Sequence, residues 1–269
     1  MKAIEIEGLT YTFPDGTLAL ENITFSLDEG KKMVIIGPNG SGKTTLLLNL
    51  RGLLRGQGTI RFFGEELNDR NIQLLGKKIG LIFQNPDDQL FMPTVFDDVA
   101  FGLTLSLKGK SSFKKIKRIR ETEPEEIQLD QETQRIVNRV KNILRELKAA
   151  HLLTRSTLKL SLGEKKKVAL AGVLVLEPEV LLLDEPTLGL DPGTRRWLIN
   201  YLRDSKKTII ATTQDMEFAW ELAEQVVLIN QGKIIALGSK EEILSDQDLL
   251  EAHGLELPLN YLLAQLKNN

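Results

Sequence analysis

Apolar residues in this 269-residue chain follow two periods. In Ala3–Glu7, Ile4 and Ile6 alternate with Glu5 and Glu7, and in Leu20–Leu27, Ile23, Phe25 and Leu27 alternate with polar neighbours. Both patterns predict half-buried strands. Met33–Ile36, Val180–Leu183 and Val226–Ile229 are continuous apolar runs, and Thr59–Phe63, Ile79–Phe83 and Thr208–Thr213 complete the predicted strands. Several such runs separated by helical patterns predict an α/β fold with a mostly parallel sheet covered on both faces, behind a mixed β region at the N-terminus.

The second period is helical. Ile136, Val140, Ile143, Leu144 and Leu147 fall on one face of a helix spanning Glu132–Leu147. Residues 95–176 read mainly as helix, which predicts a helical subdomain inserted into a nucleotide-binding core made of residues 1–94 and 177–240. Residues 241–269 form a C-terminal helical segment, where Leu259, Leu262, Leu263 and Leu266 make a stripe that suits packing on its own domain or a dimer contact.

Composition narrows the possibilities. Lysine and arginine number 35 against 37 acids, a net charge of −2, which argues against nucleic acid as the main partner. The absence of cysteine excludes disulfides, Cys-zinc sites and thiol nucleophiles. No apolar run approaches the ~18 residues of a membrane span, and the first strand lacks the apolar core of a signal peptide. A cytoplasmic protein is expected, with any membrane role exercised through a partner. One local departure is the run Lys108–Arg120, seven basic residues without an acid, followed by the acidic Glu121–Asp130. It reads as a solvated excursion or as a contact for anionic lipid or a partner.

The sharpest chemical signal is Gly37-Pro38-Asn39-Gly40-Ser41-Gly42-Lys43-Thr44, which satisfies G-x-x-x-x-G-K-[ST] between a predicted strand and a helix running through Thr45 to Leu48. Its glycines let backbone N–H groups face an anion, the helix N-terminus adds its dipole, and Lys43 supplies a charge between β and γ phosphates. The Thr44 hydroxyl suits Mg²⁺. Further on, Val180–Leu183 ends in Asp184-Glu185. Asp184 at the strand end is placed to reach the metal's hydration shell. Glu185, expected to point the other way on a pleated strand, is placed to polarise a water attacking the γ phosphate.

With these motifs the chain resembles the ATP-binding-cassette ATPases over nearly its whole length. Phe83-Gln84-Asn85-Pro86-Asp87-Asp88-Gln89-Leu90-Phe91 resembles the Q-loop of the cobalt/nickel and vitamin importers of the energy-coupling-factor class. Leu160-Ser161-Leu162-Gly163-Glu164 stands at the signature, and Gly189-Leu190-Asp191 at the D-loop. The resemblance implies a P-loop ATPase fold with an antiparallel β subdomain and an inserted helical subdomain, hydrolysing ATP with Mg²⁺. Phe13, or else Tyr11, would stack on adenine, while Asn39, Gly40, Ser41, Gly42, Lys43, Thr44 and Thr45 bind the phosphates. Thr44, Gln84 and Asp184 would serve the metal; Glu185, Gln84 and Gln214 would serve catalysis. Ser161, Gly163 and Glu164 would close on ATP held by the opposite subunit of a homo- or heterodimer, and Asp191 would be the D-loop residue. A transmembrane transporter subunit is implied as partner, with the chain peripheral on the cytoplasmic side of the membrane.

Two positions depart from the family pattern. Gln214 stands where a histidine is usual; its amide can donate a hydrogen bond but cannot take up a proton. Leu162 stands where the signature has its first glycine, so its side chain must point away or block the nucleotide. Both leave open an alternative reading, a weakly hydrolysing, ATP-gated regulatory half of a heterodimer.

Overall fold

The computed structural model describes residues 1–106 and 131–268. The basic and acidic runs at Lys108–Arg120 and Glu121–Asp130 lie outside the described residues. The strands are β1 (Lys2–Thr12), β2 (Leu18–Asp28), β3 (Lys32–Ile36), β4 (Gln57–Phe62), β5 (Glu65–Glu66), β6 (Ile79–Ile82), β7 (Val180–Asp184), β8 (Thr208–Thr213), β9 (Gln225–Asn230) and β10 (Lys233–Ser239). The α-helices are α1 (Lys43–Arg51), α2 (Ile72–Lys78), α3 (Val95–Ser106), α4 (Gln131–Glu146), α5 (Leu162–Leu174), α6 (Pro192–Asp204), α7 (Met216–Leu222), α8 (Lys240–Leu244), α9 (Gln247–Ala252) and α10 (Leu259–Asn268). Two compact units emerge, one built from Met1–Gln84 with Glu179–Asn269, the other from Asn85–Pro178.

The first unit holds two sheets. In the antiparallel one, ordered β2-β1-β4-β5, Ile6 pairs with Phe25 on one side and Ile60 on the other, so the alternation of β1 puts its isoleucines on a single buried face. The second has the order β10-β9-β3-β8-β7-β6 and is parallel except for β10. Every residue of β3, β7 and β8 is buried, as continuous apolar runs require. Met33, Ile35, Leu182 and Ile210 share one core with Leu46, Leu47 and Leu50 of α1 and with Ile4, Ile6, Phe25 and Phe62 of the antiparallel sheet. Helix α1 is thereby fixed between both sheets. Helix α7 packs on β3 and β8 with Phe218 and Ala219 buried.

The second unit is helical. Val95, Val99 and Leu103 of α3, Ile136, Val140, Ile143 and Leu144 of α4, and Val168 and Ala171 of α5 are buried where these helices meet. The stripe expected from the sequence is thus the packed face of α4. Helix α5 starts at Leu162 because Ser161 caps it and exchanges hydrogen bonds with Glu164.

One strand did not show in the hydrophobic pattern. β10 is an edge strand of alternating exposure reached from β9 by the two-residue turn Gln231–Gly232, both at positive φ. In α10, Leu259, Leu262 and Leu263 are exposed, while Tyr261 meets Trp220 at 5.4 Å and Glu217 accepts from the Leu259 and Asn260 amides. Among the described residues no helix is long and apolar enough to cross a membrane.

Leu182 is fully buried in the middle of β7, between β6 and β8. Leu182→Ala is expected to cost about 2–5 kcal/mol, read as a lower urea midpoint at unchanged m-value. A loss below about 1 kcal/mol would contradict burial on both faces of β7.

Candidate functional site

The parallel strands β3, β7 and β8 end at one edge of their sheet, and the loops leaving them line a cleft of about 700 Å³. The loop after β3 is shaped by two contacts that exclude any side chain. A Cβ on Gly37, at φ +153°, would lie 2.0 Å from the Ile229 carbonyl oxygen, and one on Gly42, at φ +103°, would lie 2.6 Å from that of Ala19. Only glycine permits the chain to pass there and then enter α1 at Lys43.

Asn39, Gly40, Ser41, Gly42, Lys43, Thr44 and Thr45 all line the cleft. Lys43 is buried, and its Nζ donates to the Gly37 and Pro38 carbonyls at 2.7 and 3.0 Å. Burial holds the Lys43 pKa below its ordinary value, although the charges of Glu185 and Asp184 work in the opposite direction. The hydroxyl of Ser41 is buried without a hydrogen-bond partner. A buried orphan polar atom in an anion-binding loop fits a site made for an acceptor-rich ligand such as a polyphosphate.

Asp184 closes the same wall. Its Oδ2 accepts from Thr44 Oγ1 at 2.8 Å and its Oδ1 from Thr212 Oγ1 at 2.6 Å. Thr212 escaped the sequence reading, yet the parallel register places it opposite Asp184, so pairing β7 with β8 would have located it. The Thr44 hydroxyl and the buried Asp184 carboxylate are hard oxygen donors of the kind Mg²⁺ takes. Among the described residues no group of three or more His, Cys, Asp and Glu side chains offers a complete metal cage. An ion here would keep phosphate and water as its other ligands.

Glu185 differs from the expectation. The strand stops at Asp184, and Glu185 adopts φ +43°, so its direction comes from a left-handed turn and not from pleat alternation. Its amide donates to the Thr212 carbonyl at 3.1 Å, and its Oε2 accepts from Thr213 Oγ1 at 3.2 Å and from the Gln214 amide at 3.3 Å. Burial raises the Glu185 pKa, and the Gln214 amide and Lys43 counter it in part. A left-handed non-glycine residue beside a phosphate loop is the kind of strain that active sites retain.

Gln214 and Gln84 also line the cleft. The Gln214 side-chain amide donates to Asn39 Oδ1, tying the loop after β8 to the phosphate loop. Phe13, Thr17, Leu18 and Ala19 form a further stretch of the wall, while Tyr11 packs against the hydrophobic core and meets Phe13 edge-on at 5.1 Å. Of the two aromatic candidates, the cleft contains Phe13. Thr187, Leu188 and Asp215 are lining residues that the motifs did not single out.

Other candidates serve helix ends. Asp191 caps α6, accepting from the Gly193 and Thr194 amides at 3.0 Å, and hydrogen bonding from Thr194, side chain first and then amide, holds its pKa below the ordinary value. In the second unit the Ser161 amide donates to Glu164 Oε2 at 2.8 Å, and Leu162 is exposed, turned outward at the first position of α5. Glu164 is held below its ordinary pKa chiefly by that amide. Gly163 lies in the first turn of the same helix.

A sequence profile described as ABC transporter matches residues 20–188. A protein of Gloeobacter violaceus provisionally named an ABC transporter ATP-binding protein is 44% identical over 97% of this chain and 98% of its own length. The energy-coupling factor transporter ATP-binding protein EcfA of Carboxydothermus hydrogenoformans is 42% identical, with 96% and 88% covered. Among solved structures, cbiO1 of Clostridium perfringens, part of the ABC transporter complex cbiONQ, superposes with a TM-score of 0.75 at 32% identity, covering 99% of each chain.

The raised pKa of Glu185 has a signed consequence for stability. Below the ordinary value of 4.5 the group is protonated both folded and unfolded, and its burial carries no charge penalty. As pH rises through the folded-state pKa the penalty becomes complete. Glu185→Gln should therefore melt at a higher temperature than the wild type at pH 7.5, with the difference vanishing towards pH 4. A difference that grows on acidification would contradict the burial.

Proposed function

The chain belongs to the ABC transporter family of ATPases, and from that membership we propose that it is the ATP-hydrolysing subunit of a membrane importer of the energy-coupling-factor type. The cargo in this reading is cobalt or nickel ion, or a vitamin. The names of the Carboxydothermus and Clostridium relatives support the importer class, while the cargo rests on the resemblance of the Q-loop segment alone. The observation that carries the hydrolytic part is the meeting in one cleft of the glycine-shaped loop, the Thr44–Asp184 pair and the half-buried Glu185.

The reaction is MgATP and water to MgADP and phosphate. Phe13 stacks on the base, and the backbone amides of residues 39–45 with Lys43 cradle the phosphates. Lys43 exchanges its loop-carbonyl bonds for phosphate oxygens. Thr44, Asp184 and Gln84 would hold Mg²⁺ or its waters, and the ion would supply charge neutralisation to the phosphates. Glu185 orients the attacking water, and its raised proton affinity suits it to polarise the O–H bond as the P–O bond to the leaving ADP breaks. Gln214 donates an amide N–H towards the γ phosphate in the place of a histidine, with no group that titrates near neutral pH.

The working unit in this reading is a head-to-tail dimer of cassettes, of one kind or two, in which Ser161, Gly163 and Glu164 of one copy face the nucleotide of the other, with Asp191 near the joint. The chain acts on the cytoplasmic side of the membrane, bound through a transmembrane subunit.

Steady-state phosphate release from MgATP tests the reading. Glu185→Gln should lower kcat by about 10²-fold or more, and Phe13→Ala should raise KM for ATP about tenfold. The wild type should show no inflection from position 214, whereas Gln214→His should introduce one near pH 6.5. A wild-type chain that binds ATP but is silent until Gln214→His or a second cassette restores turnover would instead identify the regulatory half of a heterodimer.

A further inference from the structure

Behind the cleft, Arg195 on α6 reaches two carboxylates on the segment that follows β8. Its Nε and Nη2 donate to the Oδ2 and Oδ1 of Asp215 at 3.0 and 3.2 Å, a two-pronged grip, and its Nη1 donates to Glu221 Oε1 at 3.3 Å. The three side chains are only about a quarter to a third exposed: 26%, 33% and 28%. Burial works against the guanidinium charge, but hydrogen bonds and charge from Asp215 and Glu221 overcome it and hold the pKa above its ordinary value. A bidentate arginine–carboxylate pair fixes direction as well as distance.

Asp215 is gripped from every side that matters for the site. Its Oδ1 accepts from the Phe218 amide at 2.9 Å as the cap of α7, its Oδ2 accepts from the Thr187 hydroxyl at 3.3 Å, and its own amide donates to Thr213 Oγ1 at 2.9 Å. The neighbouring residue is Gln214, whose amide and side chain reach Glu185 and Asn39. Thr187, two residues after Glu185, lines the cleft with Asp215, whereas Arg195 does not. Arg195 lies one turn into the helix that Asp191 caps, its amide donating to the Asp191 carbonyl at 2.9 Å.

We propose that Arg195 is a positioning residue for hydrolysis: by clamping Asp215 it fixes Gln214 and Glu185 against the phosphate loop, and it ties that alignment to the D-loop at the start of α6. The inference rests on the hydrolytic reading for its kinetic consequence but not for its structural one. Without the guanidinium, Asp215 keeps the Phe218 and Thr187 bonds but loses the donor that sets its orientation. Gln214 then samples positions from which Glu185 loses its amide donor. Because the phosphate loop and Phe13 are untouched, nucleotide binding survives while turnover falls.

The test compares Arg195→Met, Arg195→Lys and Glu221→Gln in the full-length chain by MgATP turnover and by amide hydrogen exchange at Gln214 and Phe218. Arg195→Met is expected to lower kcat about 10- to 100-fold with KM for ATP within about threefold, and to speed exchange at both amides. Arg195→Lys keeps a charge for Asp215 but not the fork, and should recover part of kcat. Glu221→Gln leaves the Asp215 grip intact and should stay near wild type. Exchange at Gln214 and Phe218 that is unchanged in Arg195→Met overturns the proposal whether or not the chain turns over. So does a kcat within about twofold of wild type, or a lysine variant as impaired as the methionine one. A wild-type chain silent towards MgATP would overturn the hydrolytic reading alone, with the exchange rates still deciding the role of Arg195.

Discussion

The carboxylate of Asp184 is held from two sides by hydroxyls, Thr44 at 2.8 Å and Thr212 at 2.6 Å, and the geometry of the cleft depends on that grip. Thr44 opens α1 from the loop after β3, and Thr212 sits near the end of β8, so one side chain at the tip of β7 locks together the ends of three strands. Hydrogen bonds to an ionised acceptor are stronger than neutral ones, and in a buried setting they are screened little. The register of β7 against β8 is therefore not only a matter of packing Leu181 and Leu183. A one-residue slip would turn Asp184 away from both hydroxyls and bring an apolar side chain to the phosphate loop.

Around this fixed point the site is held in a state that proteins do not adopt without compensation. Lys43 is buried with a depressed pKa, Glu185 is half-buried with a raised one, and Glu185 also occupies a left-handed backbone region. Each feature costs stability, the strained residue on the order of 1–3 kcal/mol. The shared core beneath α1 and the fully buried strands β3, β7 and β8 supply the offset. Positioned donors and acceptors that need not reorganise when charge moves are the main resource for phosphoryl transfer, where little covalent chemistry falls to the protein.

Much of this was legible in the sequence. Continuous apolar runs marked the parallel strands, alternation marked β1 and β2, and the spacing of glycines and lysine marked the loop, because each is a local requirement of backbone or burial. What stayed hidden depends on register or on turns. Thr212 and Thr213 look like ordinary strand residues until β8 is set beside β7. The turn at Glu185 leaves no signature, since most left-handed positions take glycine. Arg195, Asp215 and Glu221 are common surface residues whose meeting requires α6 and α7 to be placed first. Ser161 and Glu164 were read through the family signature, and the structure adds that they also start α5 by capping it, with Leu162 directed outward.

In the proposed function the Thr44–Asp184 pair receives a magnesium-bearing nucleotide. The most direct test is ATP affinity by calorimetry with Mg²⁺ and with EDTA, for the wild type and for Asp184→Asn. Mg²⁺ is expected to tighten binding to the wild type by about tenfold or more, and Asp184→Asn to abolish this dependence while metal-free affinity stays within about threefold. A Mg²⁺ dependence that persists undiminished in Asp184→Asn would contradict this role of the pair.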